Sequence, residues 1–312
     1  LKDMDICGEI ILVPNCNPIG TNIKAGEYTL GRFDPVNGTN WNRGYFFDKD
    51  AVEHFAKTVT REESIEGIKQ RFRAHLSNAI DNKLAEPWGL GLAQQLNLKL
   101  QQMAVNADFV LDLHNGPVST RHVYIPEYAK DSAKLFNIPH CIFIPNVFAG
   151  ALDEATFCPW WTLQESIKTN LAREVSFNVE AFTLEMGSQE VIDFNEGNID
   201  ATSILSYLNA KGVLHECDIK PTEMKRLGVY LKDYKTLFTN WGGMVEYMAK
   251  PGQTVKKGEP LAQILNIDDL DTDNGSRTLE APCDLIPILH FPSASVLSGT
   301  QLYKVFTNYK EL

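Results

Sequence analysis

The spacing of apolar residues along the chain changes near residue 222. Before that point, short apolar runs alternate with longer stretches in which apolar residues recur at helical spacing. The runs predict buried strands at 8–14, 109–114 and 179–185, and the stretches predict helices at 50–85, 90–105, 127–136, 161–170 and 200–211. Strands that alternate with helices predict an α/β domain with a parallel or mixed sheet.

After residue 222 helical spacing stops, and short apolar segments are separated by Gly, Pro and Asp turns. The segment 251–261 recurs at 292–302 with Pro, Val, Gly and Leu at equal offsets, which predicts two copies of a strand–turn–strand unit. Two such units suggest a small all-β barrel that resembles the biotinyl/lipoyl-like fold. Carrier members of that fold present a modifiable Lys at a hairpin tip, but the corresponding segment here, 271–278, contains no Lys. We therefore expect an α/β domain at 1–222 and a non-carrier all-β domain at 223–312.

Composition limits the partners. A formal net charge of -11 repels phosphate backbones, and no basic patch offsets it, so we expect no nucleic acid partner. No apolar run approaches the roughly 18 residues of a membrane span, so we expect no membrane. A homodimer is the default assembly. A cytoplasmic location fits the six cysteines, which form no C-x-x-C pair: Cys7, Cys16, Cys141, Cys158, Cys217 and Cys283.

Two side chains at predicted strand ends can carry chemistry. His114 ends one apolar run at the carboxyl end of the sheet, where α/β sheets place active sites; it can bind zinc, or it can be a hydrogen-bonded core histidine. Glu185 closes another run; it can act as a general base beside a metal-bound water, or as a salt-bridging residue. His122, beside Arg121 on a further predicted strand, is a candidate for the wall of a cleft.

A loop rich in Asn and Gly carries Asn42 and Arg43, with Arg32 eleven residues earlier. Guanidinium groups bind both oxygens of a carboxylate and can stabilise an oxyanion. Arginines on surface loops are also common. This loop therefore predicts an anion site only in combination with the two strand ends at His114 and Glu185.

Taken together and in their order along the chain, the loop with Asn42 and Arg43 and the two strand ends at His114 and Glu185 resemble the aspartoacylase and succinylglutamate desuccinylase family of zinc carboxypeptidase-like enzymes. The resemblance extends over nearly the whole chain and rests on Leu12–Pro18, Asn42–Arg43, Asp112–Asn115, Glu185 and the terminal all-β domain. It implies that 1–222 is the catalytic domain, with a mixed sheet and one zinc ion per chain. The implied roles are a zinc ligand at His114, a catalytic Glu185, a carbonyl-polarising Arg32, and substrate binding by Asn42, Arg43 and Arg173.

The chain departs from this pattern in one respect. Family members carry a His-x-x-Glu pair that supplies two of three protein zinc ligands, yet none of the seven histidines here is followed three places later by Glu. The strand and helix expected before Ile10 are also missing. We expect the pair to lie N-terminal to the sequence; the alternative is a true loss of the metal.

These observations predict a zinc-dependent amidohydrolase that removes an acyl group from an N-acyl amino acid or a similar small amide. Two alternatives stay open: a metallocarboxypeptidase that acts on peptides, and a non-catalytic protein that binds acylated metabolites. The sequence does not specify the acyl group or the amino acid.

Overall fold

The computed structural model describes residues 4–25, 28–29, 31–215, 218–272 and 275–312. Cys217 and two residues of the predicted hairpin tip, 273 and 274, lie outside these ranges. The chain divides into two compact units. The sheet unit comprises the residues up to Glu9, Leu113–Pro145 and Thr183–Leu312, and the helical unit comprises Ile10–Asp112 and Asn146–Phe182.

The α-helices of the described residues are α1 Lys49–Ala56, α2 Ile65–Leu84, α3 Leu92–Ala104, α4 Leu152–Leu171 and α5 Phe194–Ala210. Short 3-10 helices span Gly20–Asn22, Glu127–Leu135, Leu231–Asp233 and Ile267–Asp269. The strands are β1 Asp5–Ile6, β2 Lys24–Ala25, β3 Tyr28–Thr29, β4 Phe109–Gly116, β5 Val118–Ser119, β6 His122–Pro126, β7 His140–Ile144, β8 Glu180–Ser188, β9 Leu214–His215, β10 Leu227–Tyr230, β11 Tyr234–Phe238, β12 Gly243–Tyr247, β13 Pro260–Leu265, β14 Ser276–Glu280, β15 Ile286–His290, β16 Ser295–Val296, β17 Gln301–Phe306 and β18 Lys310–Glu311.

In the helical unit, α1, α2 and α4 bury their apolar sides in one core, which includes Val52, Phe72 and Trp160. The stretch 50–85 is two helices rather than one, because two capping residues start separate helices. Asp48 accepts a hydrogen bond from Ala51 N, and Ser64 accepts one from Gly67 N. No helix in the described part of the chain has both the length and the apolar character needed to cross a bilayer.

The predicted strand at 8–14 is wrong. Ile11 and Leu12 are 60% and 66% exposed, and the strand near this end of the chain is β1, which pairs with β9. A strand needs the backbone of a neighbour to satisfy its N–H and C=O groups. None of the described strands pairs with residues 10–13, so their apolar character does not produce a strand.

A six-stranded sheet organises the sheet unit, in the order β18-β10-β7-β6-β8-β4. Strands β6, β7 and β10 are parallel, whereas β8 and β18 pair antiparallel with β6 and β10. The mixed sheet that the sequence predicts is therefore present. The first residues of β4 and of β8 belong to the helical unit.

The C-terminal part of the sheet unit consists, among the described residues, of strands and two short 3-10 helices, as the loss of helical spacing predicts, and every strand pair except β10 with β7 is antiparallel. It forms two four-stranded sheets, β11-β17-β15-β5 and β14-β13-β12-β16, and both contribute to one buried apolar cluster that includes Val245, Leu261 and Leu302. Two strands after residue 222, β10 and β18, belong to the six-stranded sheet. The division into domains at residue 222 stays a prediction.

Candidate active site

Glu185 stands in a row of polar side chains that crosses the six-stranded sheet. On β8 it pairs with His122 of β6, and His122 pairs in turn with His140 of β7. Side chains at paired positions of neighbouring strands point to the same face of a sheet. The register therefore brings one carboxylate and two imidazoles onto one face, in adjacent strands.

His114 lies on β4, the neighbour of β8 on its other side. Two backbone hydrogen bonds of 2.9 Å join the ends of these strands: Glu180 N to Asp108 O, and Gln189 N to Gly116 O. Residue numbers increase in the same direction on both strands from the first bond to the second, so the strands are parallel. Counting along the strands from either bond places Glu185 level with His114 to within one residue. Neither residue ends its strand, since β4 continues to Gly116 and β8 to Ser188.

His122 is fully buried and electrically neutral. Its Nδ1 lies 3.0 Å from the Thr120 carbonyl oxygen, which can only accept, so Nδ1 carries the hydrogen. Burial lowers the pKa of His122, and it outweighs the opposing effects of the Glu185 charge and the Thr120 carbonyl. The neutral ring therefore presents Nε2 as an acceptor, and this buried atom has no hydrogen-bond partner.

The Glu185 carboxylate also has a buried atom without a hydrogen-bond partner. Its Oε2 is buried and has no hydrogen-bond partner, although the residue as a whole is only half-buried. A buried polar atom without a partner is rare in folded proteins and is costly. Such an atom on a predicted general base is typical of a site that is completed by a bound molecule.

Two tyrosines form an aromatic wall around His122. The ring centroids of Tyr124 and Tyr234 lie 5.6 and 6.2 Å from that of His122. Burial, and then the neighbouring Tyr124, raise the pKa of Tyr234 well above its ordinary value. Tyr234 therefore keeps its proton at neutral pH. The sequence analysis did not select it, because it lies in the all-β region, 49 positions beyond Glu185.

In the helical unit, Asn42 and Arg43 occupy the loop before α1. The Asn42 side chain accepts a hydrogen bond from Leu152 N at 3.3 Å, in the first turn of α4. The Arg43 guanidinium is exposed and donates to the Asn42 carbonyl at 2.5 Å. Arg43 is thus accessible to an anion, whereas Asn42 also has a structural contact.

The other two predicted arginines differ in their surroundings. Arg32 is exposed, with its guanidinium 5.8 Å from the centre of the Phe33 ring. Arg173 donates to the Thr60 carbonyl at 3.2 Å, which links the segment after α4 to the loop after α1. The substrate roles of both arginines stay predictions.

Two buried amides of α3 hold the loop that carries Arg43, and the sequence analysis missed both. Asn97 donates to the Arg43 carbonyl at 2.8 Å. The Gln101 side chain donates to the Phe46 carbonyl at 2.6 Å and accepts from the Phe46 N–H at 2.9 Å. Asn97 and Gln101 are 2% and 4% exposed. An uncharged polar residue on a predicted amphipathic helix gives no sign that it faces inward, so these contacts become visible only in the structure.

Asp112, two residues before His114, is buried in the helical unit. Burial and then the Asp112 charge raise the pKa of both Tyr45 and Cys16. Both groups are therefore protonated at neutral pH.

The described residues do not form a complete zinc site. Among them, no group of three His, Cys, Asp or Glu side chains is placed to hold a metal ion. A catalytic zinc site needs three protein ligands, and His114 is the single candidate that the sequence analysis identified.

The first 210 residues match the family model "Succinylglutamate desuccinylase/Aspartoacylase catalytic domain". The match covers well over half of the chain, and the chain therefore belongs to this family, whose members are deacylases. No curated protein matches the chain.

Solved structures agree with this assignment. A succinylglutamate desuccinylase/aspartoacylase family protein from Shewanella amazonensis SB2B is 44% identical, with a TM-score of 0.96; the match covers 100% of this chain and 84% of that one. A protein of similar description from Shewanella frigidimarina NCIMB 400 is also 44% identical, with a TM-score of 0.91 and coverage of 95% and 79%. A third, from Rhodobacter sphaeroides, is 15% identical with a TM-score of 0.57, covers 90% and 70%, and shows the shared fold alone.

Proposed function

We propose that this protein is a zinc-dependent amidohydrolase that removes an acyl group from an N-acyl amino acid. The observation that carries the proposal is the Glu185 carboxylate, with one buried and unpartnered oxygen, level with His114 on the next strand. Membership in a family of deacylases supports the reaction class.

Each predicted site residue has a role in this proposal. His114 is one ligand of the zinc ion, together with ligands that the described residues do not supply. The bound metal would polarise the scissile carbonyl and lower the pKa of a water molecule. Glu185 takes a proton from the attacking water and later delivers it to the leaving amine. The exposed Arg43, with Asn42 and Arg173, binds the substrate carboxylate, and Arg32 stabilises the oxyanion.

Substitution of Glu185 tests the proposal. We expect Glu185→Ala to lower kcat by about 10²–10⁴-fold, since general base catalysis contributes about that much, while zinc content stays near one per chain. The matched control is Glu190→Ala, an exposed glutamate five residues later on the same segment, which should keep its activity. Retained turnover in Glu185→Ala would remove Glu185 from the mechanism.

A non-catalytic binding protein is the second candidate, and the lack of a three-ligand metal cluster among the described residues favours it. Elemental analysis of the full-length protein separates the two. About one zinc per chain supports the enzyme, and zinc-free protein that still binds N-acyl amino acids supports the sensor. A panel that includes peptides tests the remaining alternative, a metallocarboxypeptidase.

We also propose a reducing, cytoplasmic location, a biotinyl/lipoyl-like arrangement of the C-terminal strands, and a homodimer. The five described cysteines are all free thiols, which fits the location. The apolar cluster shared by the two four-stranded sheets fits the barrel. Light scattering of the purified protein tests the dimer.

A further inference from the structure

Glu185 stands where the pairing of β8 with β6 ends. Among the described residues, the paired positions run from Thr183, opposite Tyr124, to Glu185, opposite His122. Strand β8 itself continues for three further residues, to Ser188. The position of this end of the strand therefore depends on contacts made by the residues that follow Glu185.

Gly187 gives this end of the strand a choice of conformations. Its φ of 104° lies in the left-handed region, which glycine adopts readily and other residues rarely. Glycine adopts many other backbone conformations equally well, so Gly187 does not select this one by itself. Contacts beyond Gly187 must hold the backbone in place.

Ser188 supplies one such contact. Its hydroxyl accepts a hydrogen bond of 3.0 Å from the backbone N–H of Ser119, a residue 69 positions earlier in the chain. The next residue, Gln189, donates its backbone N–H to the Gly116 carbonyl at 2.9 Å. Gly116 ends β4, the strand that carries His114. The two bonds fasten the end of β8 to the segment that follows His114.

Ser119 is a firm anchor because it is held from two directions. A Cβ on Gly116 would lie 2.8 Å from the Ser119 Cβ, so the turn between β4 and β5 is tight and needs glycine. Ser119 also pairs with Leu289 of β15, and the next N–H, that of Thr120, donates to the Ile288 carbonyl at 2.9 Å. The anchor for the end of β8 is thus fixed by the C-terminal strands.

We infer that Ser188 is a positioning residue for Glu185, and that it holds the strand of this carboxylate to the C-terminal strands through Ser119. The inference rests on the proposed function, in which Glu185 takes a proton from the attacking water. Ser188 contacts no reacting atom and acts through Glu185. The C-terminal strands thereby take part in catalysis without lining the site.

Loss of the Ser188 hydroxyl should act on the chemical step. Ser188→Ala leaves the Ser119 N–H, in a partly buried position, without its acceptor, and it frees the backbone beyond Gly187. Glu185 then spends less time within hydrogen-bond reach of the water, and a misplacement of about 1 Å can cost on the order of 100-fold in rate. Substrate binding is proposed for other residues, so KM should change little.

Ser203 provides a matched control. Its hydroxyl also accepts a hydrogen bond from a backbone N–H of the sheet unit, that of Asn137 at 2.8 Å. Ser203 lies on α5 and is 2% exposed, so removal of its hydroxyl should disturb the fold at least as much as Ser188→Ala does. A merely structural role for Ser188 predicts similar kinetics in the two Ala variants.

The kinetic test compares three variants of the zinc-loaded, full-length protein. We expect Ser188→Ala to lower kcat about 10- to 100-fold, with KM within about twofold and zinc content unchanged. Ser188→Thr keeps the hydroxyl, and its kcat should stay within about threefold of the parent value, as should that of Ser203→Ala. Equal kcat in the two Ala variants, or no recovery with Thr, overturns the inference.

Amide hydrogen exchange followed by NMR tests the anchor without zinc or substrate. We expect the Ser119 amide to exchange at least about tenfold faster in Ser188→Ala than in the parent protein, and to recover its protection in Ser188→Thr. The Gln189 amide should also exchange faster in Ser188→Ala, because it reports release of the strand end. Ser203→Ala should affect the Asn137 amide instead. Unchanged exchange of Ser119 or of Gln189 in Ser188→Ala overturns the inference.

The two tests also separate the inference from the proposed function. If the zinc-loaded parent protein hydrolyses no N-acyl amino acid, the proposed function fails, and the catalytic role of Ser188 fails with it, whatever the exchange rates show. If Glu185→Ala abolishes hydrolysis while Ser188→Ala retains the kcat of the parent protein, the proposed function survives and the inference alone is overturned.

Discussion

The Gln101 side chain forms two hydrogen bonds with the backbone of Phe46, at 2.6 and 2.9 Å, and Gln101→Met tests their importance. Methionine has nearly the same length and volume, so the substitution removes both bonds with little change in packing. Gln101 is 4% exposed, and the Phe46 peptide groups would be left without partners in a partly buried position.

The structure sets the size of the effect. Each lost bond is worth about 1 kcal/mol, and each backbone group left unsatisfied can add about as much again, so the free energy of unfolding should fall by about 2–4 kcal/mol. For a unit of this size, that corresponds to a fall in Tm of roughly 5–15 °C. The same loop carries Arg43, so KM should rise several-fold while kcat changes little.

The assay is thermal unfolding followed by circular dichroism, with steady-state kinetics on the same samples. Gln102→Met is the control, since Gln102 is the next residue of α3 and its side chain bonds to Asp81 at the surface. We expect the control to stay within about 0.5 kcal/mol of the parent protein. Equal stability of the two Met variants would refute the assigned role of Gln101.

Two further substitutions probe the helical unit. At Asp108, burial raises the pKa, but hydrogen bonds and charge from Lys69 and then Arg73 lower it below the ordinary 3.8. Its ion pairs therefore stabilise the folded state at pH values above that ordinary pKa. The stabilisation is lost as the pH falls through the lower pKa of the folded state. Because Asp108 is 48% exposed, Asp108→Asn should cost less than about 1 kcal/mol at pH 7, and urea unfolding should show the difference disappear in acid. Asn42→Ala should cost about 1 kcal/mol through loss of the Leu152 contact, and KM should also rise; an unchanged KM would leave Asn42 with the helix contact alone.

The sequence predicted the sheet residues of the site better than the loops. Residues 109–114 and 179–185 are apolar runs that end in polar residues, and such runs fold as strands wherever they find a partner, so the sequence predicts the two strands that carry His114 and Glu185. That these strands are neighbours is seen only in the structure. The run at 8–14 has the same composition but no strand partner among the described residues. Composition alone cannot predict pairing.

The positions of His122, Gln101 and Tyr234 were not predictable in the same way. His122 faces Glu185 because β6 and β8 are antiparallel neighbours in a mixed sheet, and strand order is set by long-range contacts. Gln101 points inward because of the rotation of α3 about its axis. Tyr234 approaches the site through β11, far along the chain. Each depends on tertiary packing that local periodicity does not encode.

The C-terminal strands are joined to the six-stranded sheet at two places, one near each end of the segment. Strand β10 pairs with β7, and β18 returns after more than seventy residues to pair with β10. The close approach at this return needs Gly228, since a Cβ there would lie 2.8 Å from the Phe143 ring and 2.9 Å from the Leu312 side chain. Expression of residues 223–312 alone would therefore deprive β10 of its neighbour β7 and β15 of its neighbour β5, and an affinity tag is better placed away from Leu312.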